Sequence, residues 1–500
     1  MVSTCNGTTV KRSSPPAELG LLSQLSHCLQ AVSVRYCHWK GRFHAQRALS
    51  GEGDLDLLVD RRDAGRFESV LALLGFKRAV DPLRPRTPSV SHYYGLDEMT
   101  GALLHVHVYY RLVTGENLLD NYSLPLEELL LRNARLEDGM PVAQPGAALL
   151  VVVVRAMLKR ASITEELVFG GDTESVQDKL RALLSEGSEA EASRLVEQWL
   201  PGLSPELFQQ CLEALRGKTS WRRRFRLARK LRRRLAGYRR FPWAVEAGLR
   251  TWVIIKRGLW RLLQGSGGRK DLDAGGAVIA FVGLDASGKS TLVREARGWL
   301  GKVFRVSAHH LGKPSSAWAT LLPNLARRLL SWARPSLHMS ARQDGKVGSG
   351  GGLLYRLRMV LLAWDRRALA IKLHRRAANG WIVLCDRYPS AQVGAIDGAI
   401  LPVGEDGGLK GYLARLENRL YRQAPPPDIV IRVVAPAEVA VERNRLRREP
   451  GKEKSDTYVA YNHRHVRLPS FQGAHTLELS TNRSRDETVQ DLRRILWQLL

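Results

Sequence analysis

Gly283-x4-Gly288-Lys289-Ser290-Thr291 brings together two glycines, a lysine and two hydroxyls at a spacing that suits phosphate chemistry. Glycines let backbone N–H groups wrap a β-phosphate, and a helix starting at the lysine adds the positive end of its dipole. Lys289 would reach the β- and γ-phosphates, and the Ser290 hydroxyl would ligate magnesium. The whole loop, Gly283, Asp285, Ala286, Ser287, Gly288, Lys289, Ser290 and Thr291, is the candidate nucleotide site. It implies a nucleoside triphosphate and leaves the reaction open. A second pair of groups, Asp54 and Asp56, alternates along Ser50-Gly-Glu-Gly-Asp-Leu-Asp-Leu-Leu-Val-Asp60, so a strand there puts both carboxylates on one face.

The elements that must hold these residues follow from the flanking sequence. Ala277–Val282 is a continuous apolar run suited to a buried parallel strand, and a helical segment follows through Leu300. The chain has 500 residues with 77 Lys or Arg and 49 Asp or Glu, a net charge of +28. Hydrophobic content of 44% and charged content of 25% are ordinary, which excludes wholesale disorder and collagen-like structure. Five scattered cysteines without a CxxC pair fit neither a disulfide scaffold nor a zinc ribbon, and a reducing compartment is expected. No secretory leader is visible in the first residues, and the longest uncharged stretch, Gly139 to Val154, is shorter than the roughly 18 residues a bilayer requires.

The charge is concentrated. From Arg216 to Lys270 there are 19 Lys or Arg and one acid, Glu246, so this segment carries +18. Phe225, Ala228, Leu231, Leu235 and Tyr238 form one helical stripe. Val245, Gly248, Trp252, Ile255, Leu259 and Leu263 form another, with Arg250, Arg257 and Arg261 opposite. Two basic amphipathic helices are expected. Three roles fit them: lying on an anionic membrane with Trp252 and Trp260 at the headgroups, gripping nucleic-acid phosphates (the least favoured), or packing on their own domain. Gly265-Ser-Gly-Gly-Arg-Lys and Gly275-Gly276 read as flexible punctuation. The expected organisation is a tail over 1–18, a domain over 19–160, a helical basic connector over 161–270 and a domain over 275–500.

The last region resembles the thymidylate kinase family of P-loop kinases over nearly its whole length. Gly-Leu-Asp285-x-x-Gly-Lys-Ser-Thr matches that family's loop, and Trp364-Asp365-Arg366 resembles its Ala-Asp-Arg segment. Trp381-Ile-Val-Leu-Cys-Asp386-Arg387-Tyr resembles its apolar strand ending in Asp-Arg, and Pro426-Pro-Asp-Ile-Val-Ile-Arg-Val its Pro-Asp strand. The resemblance implies a doubly wound parallel sheet. Asp386 would then hold magnesium or orient the acceptor, and Arg387 would neutralise the transferring phosphoryl group. Arg443, Arg445, Arg447, Arg448, Lys452 and Lys454 resemble the family's mobile lid, which makes Arg443 and Arg447 candidate catalytic cations. Val282 stands where the family carries Glu, and Pro-Ser-Ala-Gln-Val-Gly-Ala after Tyr388 lacks its paired serines. The acceptor therefore stays open.

Asp54 and Asp56 resemble the Asp-x-Asp strand of the nucleotidyltransferase superfamily, which implies a magnesium–triphosphate site. Tyr36-Cys-His-Trp-Lys-Gly41, thirteen residues upstream of Asp54, resembles its Gly-Ser turn, although the chain reads Lys40-Gly41-Arg42. A helix over Phe67–Gly75 and a hairpin of Ser89–Tyr94 with Leu103–Leu112 are expected. Where that superfamily has a third carboxylate, this chain has His105 and His107, which would bind metal, replace the acid, or be plain strand residues.

The fold class expected is α/β: a small nucleotidyltransferase-like domain, a helical connector, and a P-loop domain with a doubly wound parallel sheet. The leading function is an ATP- and magnesium-dependent phosphotransferase with catalytic Lys289, Asp386, Arg387, Arg443 and Arg447, acting on a nucleoside monophosphate or another small acceptor. Metal ligands are expected at Ser290 and Asp386, and at Asp54 and Asp56. Alternatives are a nucleotide-dependent, membrane-peripheral regulator, of a kind that resembles fusions linked to surface-polysaccharide metabolism, or nucleotidyl transfer by the N-terminal domain. The expected location is cytoplasmic or peripheral at the inner face of the membrane. Oligomeric state is not readable.

Overall fold

The structure, a computed structural model, describes residues 20–40, 53–84, 86–115, 119–132, 134–137, 139–159, 173–217, 219–264, 269–312, 352–403, 408–446 and 454–500. Several expectations lie outside these residues: the tail over 1–18, the turn at Gly41-Arg42, the glycines of 265–268, and Arg447, Arg448 and Lys452. The chain divides into two compact units, Met1–Gly268 and Arg269–Leu500.

In the first unit, seven strands form a mixed sheet in the order β3-β4-β5-β2-β1-β9-β8. They are β1 (Tyr36–His38), β2 (Leu55–Val59), β3 (Lys77–Val80), β4 (Val90–Leu96), β5 (Leu103–Tyr109), β8 (Arg135–Glu137) and β9 (Met140–Val142). A small ribbon of β6 (Leu112–Thr114) and β7 (Tyr122–Leu124) stands apart from them. The period of two sorts β2 between two cores. Leu55, Leu57 and Val59 pack with Phe67 and Leu71 of helix Ala64–Leu73 and with Leu22 and Leu25 of helix Gly20–Ala31. Leu58 packs in the other core with Trp39 and with Val153 and Met157 of helix Pro145–Lys159.

That last helix contains Val151–Val154, a run with strand propensity, yet it is apolar on almost every side and buried almost throughout. Burial of a helix that is apolar all round overrides the modest helix penalty of β-branched residues. Phe208 of helix Pro205–Arg216 and Ala228 and Leu231 of helix Trp221–Arg234 join this same core.

The second unit opens with β10 (Asp271–Leu272), then carries five parallel strands in the order β12-β13-β11-β14-β15. These are β11 (Ala277–Val282), β12 (Val306–His310), β13 (Ile382–Asp386), β14 (Ile429–Val434) and β15 (His475–Ser480). Val278, Ala280 and Val282 face Ala370, Leu373 and Ala377 of helix Leu353–Ala378. Helices Lys289–Leu300 and Arg485–Leu499 bring Trp299 and Trp497 into edge contact at 6.3 Å. The chain leaves β11 toward β12 and β13 on one side and returns to β14 on the other. That reversal leaves a crevice at the carboxyl end of β11, where doubly wound sheets bind ligands.

Candidate functional site

The loop after β11 is the one the glycine spacing calls for. A Cβ on Gly283 would sit 2.4 Å from the Val433 carbonyl oxygen and 2.9 Å from Ser287 Oγ, so only glycine lets the loop pass β14. Gly288 has φ +97° and Ala286 φ +65°, left-handed values that curl the backbone before the helix begins. Lys289 is buried. Its Nζ donates to the Leu284 carbonyl at 2.5 Å and to Ser287 Oγ at 3.3 Å, inside the curl. Burial and the nearby Arg387 lower its pKa to about 8, against the pull of Asp386 and Asp285. Thr291 follows in the first turn, its N–H bonded back to the Gly288 carbonyl at 3.1 Å.

Asp386 ends β13, the neighbour of β11, and pairs in register with Phe281. The Ser290 hydroxyl donates to Asp386 Oδ2 at 2.5 Å, so the hydroxyl and carboxylate expected to handle magnesium converge. Arg387, in a left-handed turn at φ +70°, points from the strand end to Asp285 Oδ1 at 2.5 Å and Asp397 Oδ2 at 3.2 Å. Asp285 is also held by Lys454 at 2.5 Å, and its carbonyl accepts from His463 Nε2 at 2.7 Å. Burial opposes ionisation of Asp285, but Lys454 and Arg387 outweigh it and keep the carboxyl below its usual range. Burial likewise works against the Arg387 charge, and Asp397 with Asp285 more than compensates.

Arg443 donates to Thr481 Oγ1 at 2.8 Å and to the Thr481 carbonyl at 2.7 Å, while Thr481 Oγ1 donates to the Ser287 carbonyl at 3.1 Å. This cation therefore buttresses the loop through Thr481. Arg445 pairs with Asp456 at 2.7 Å. Lys454, the other described cation of that stretch, reaches the site.

Asp397, Thr481 and His463 were not singled out from the sequence. Asp397 follows the strand-end arginine by ten residues with no motif around it. Arg366, from Trp364-Asp365-Arg366, pairs with the same Asp397 at 3.5 Å and donates to Tyr421 OH at 2.6 Å.

In the first unit, the alternation of Asp54 and Asp56 does place them toward one face. Asp56 lies opposite His107 on β5, and His107 opposite His92 on β4. His105 Nδ1 lies 2.7 Å from Asp54 Oδ1 and His107 Nδ1 lies 3.2 Å from Asp56 Oδ1. Lys40, beside the expected turn, is salt-bridged to Asp56. His92 stacks on His107 at 4.2 Å, and Tyr94 stacks on His105 at 4.4 Å.

Burial opposes the Asp56 charge, yet Lys40 and His107 hold the carboxyl well below its usual range. Burial lowers Lys40 to about 8 and His107 to about 4, in each case against the attraction of Asp56. Lys40 and both histidines thus engage the Oδ1 oxygens of the two carboxylates. Among the described residues, no group of three or more His, Cys, Asp or Glu is arranged to hold a metal ion. His92 lies on the first strand of the expected hairpin, and the observed register puts it across from His107.

No protein-family model matches the chain. It is 28% identical over 171 residues to the "Uncharacterized ATP-binding protein YghR" of Escherichia coli, covering 33% of this chain and 68% of that one. It is 27% identical over 225 residues to the "Uncharacterized ATP-binding protein YghS" of the same organism, covering 43% and 89%. A thymidylate kinase of Cyanothece sp. is 26% identical over 181 residues, covering 34% and 69%. The chain thus carries a region similar to ATP-binding proteins and to a nucleotide kinase.

Proposed function

We propose that the second unit is an ATP- and magnesium-dependent phosphotransferase that moves the γ-phosphoryl group to a nucleoside monophosphate or another small phosphate- or hydroxyl-bearing acceptor. The observation that carries this reading is the 2.5 Å approach of Ser290 to Asp386 beside the glycine curl that holds Lys289. Similarity to ATP-binding proteins and to a thymidylate kinase supports the same reaction class.

The donor set fits magnesium. Ser290 and Asp386 offer hard oxygens from two adjacent elements, and magnesium usually takes only one or two protein ligands and fills its shell with phosphate and water. Held by Ser290 and Asp386, the ion would supply positive charge that offsets the charge of the phosphates.

Each residue then has a task. The loop N–H groups of Gly283 to Gly288 cradle the β-phosphate. Lys289 exchanges its carbonyl partner for β- and γ-oxygens, which restores full charge to a lysine that burial has weakened. Arg387, fixed between Asp285 and Asp397, presents its charge to the transferring group without having to reorganise. Lys454 reaches the same carboxylate from the opposite element.

The test is incubation with γ-labelled ATP and a panel of nucleoside monophosphates and small hydroxyl acceptors. Labelled acceptor is expected. Protein that binds ATP yet labels nothing across the panel would overturn the reading.

A further inference from the structure

Helix Trp243–Gln264 turns its charged side inward and its apolar side out. Glu246 is 1% exposed and is gripped by Arg232 and, at 3.0 Å, by Arg250. Val253, also 1% exposed, packs with Leu119 and Leu249, and Lys256 Nζ donates to the Pro82 carbonyl at 2.7 Å. These residues recur at three- and four-residue steps, so together they define the face that meets the body of the unit. The other face carries Val245, Trp252, Ile255, Leu259 and Leu262, exposed by 48%, 60%, 58%, 55% and 85%. Between them lie Gly248, Thr251 and Gly258, and no charged residue falls on that side. The stripe is about 26 Å long at 1.5 Å per residue.

A contiguous exposed stripe of this size needs a partner that excludes water. Charge decides between the candidates. Arg216 to Lys270 carries +18, and Arg222, Arg223, Arg226, Arg229, Arg233 and Arg234 of the preceding helix are exposed. A second copy docking by the same face would bring two such segments together against their repulsion. Nucleic acid would satisfy the arginines and leave the apolar stripe wet. An anionic bilayer surface satisfies both, with the stripe at the acyl boundary and Trp252 at headgroup depth. Among the described residues no helix is long and apolar enough to cross a membrane, so the helix would lie in the interface plane.

We infer that the exposed face of residues 243–262 docks on a membrane surface containing anionic lipid. This is independent of the phosphotransferase reading.

The test is flotation of the full chain with vesicles of phosphatidylcholine alone and of phosphatidylcholine mixed with phosphatidylserine. Flotation with the mixed vesicles is expected, weakened by added salt. Trp252→Glu plus Leu259→Glu should reduce partitioning at least about tenfold. Trp252→Ser plus Leu259→Ser serves if the first variant fails to fold, as judged by its unfolding transition. Absence of flotation, or equal flotation by a folded double variant, would overturn the inference. So would a solution dimer that the same substitutions dissociate, because a second copy would then be the partner.

Discussion

The Ser290 hydroxyl donates to the Asp386 carboxylate across 2.5 Å, joining the first turn of the helix after β11 to the last residue of β13. The contact follows from strand register. Phe281 pairs with Asp386, so both chains leave the sheet at the same level, and the glycine curl returns Ser290 to that edge. Two elements 96 residues apart in sequence therefore supply one oxygen donor set.

Ser290→Ala and Asp386→Asn should each lower magnesium-dependent phosphoryl transfer by about 10²-fold or more. Because the proposal has the two groups hold one ion, the double variant should fall well short of the product of the single losses. Rates measured against magnesium concentration for the three variants check this.

Lys289 should make nucleotide affinity depend on pH. Its ammonium form attracts phosphate, and burial with Arg387 nearby lowers its pKa to about 8 in the free protein. Affinity should be level below that pH and fall as pH rises through it, by at most about tenfold per unit. Calorimetric titration of ATP across this range reads the effect directly, and Lys289→Ala should abolish the pH dependence along with most of the binding.

Gly283→Ala tests the loop as a fitted piece of backbone. The new Cβ would meet the Val433 carbonyl at 2.4 Å, a contact no rotamer can relieve. A loss of about 1–3 kcal/mol in stability of the second unit is expected, with nucleotide binding weakened in parallel. Thermal unfolding with and without ATP separates the two effects.

The first unit should lose stability in mild acid. Burial lowers both His38 and His107 to about 4, whereas an unfolded histidine titrates near 6.5. Between these limits the unfolded chain binds protons that the folded chain refuses, so stability is complete above the upper limit and declines toward the lower one. Each histidine contributes at most about 3 kcal/mol to that decline. The low pKa of Asp56 extends the loss further into acid. Urea unfolding at a series of pH values should show the slope, and His107→Gln should make it shallower.

Much of the second unit was legible because its signals are local. An apolar run, a glycine spacing and an apolar strand ending in Asp386-Arg387 each occupy a few consecutive residues, and β11 and β13 form over those runs. Asp397, Thr481 and His463 could not be found that way, since tertiary structure brings them to the loop from a connection beyond β13, the end of β15 and helix Asp456–His465, and no short pattern marks them. The helix at 243–264 shows a different limit. Its stripe was readable, but which side faces inward was not, because an ionic cluster of Glu246 with Arg232 and Arg250 buries the charged side. Likewise, the carboxylates of Asp54 and Asp56 were visible in the alternation, while their engagement by Lys40, His105 and His107 depends on two further strands, β1 just before Lys40 and β5, which carries both histidines.

The most direct measurement is transfer of labelled γ-phosphate from ATP to the acceptor panel, run side by side for the natural chain, Lys289→Ala and Asp386→Asn. The account predicts magnesium-dependent labelling of at least one acceptor by the natural chain and loss of about 10²-fold or more in both variants. Transfer that persists undiminished in either variant, or ATP binding without transfer to any acceptor, would contradict it.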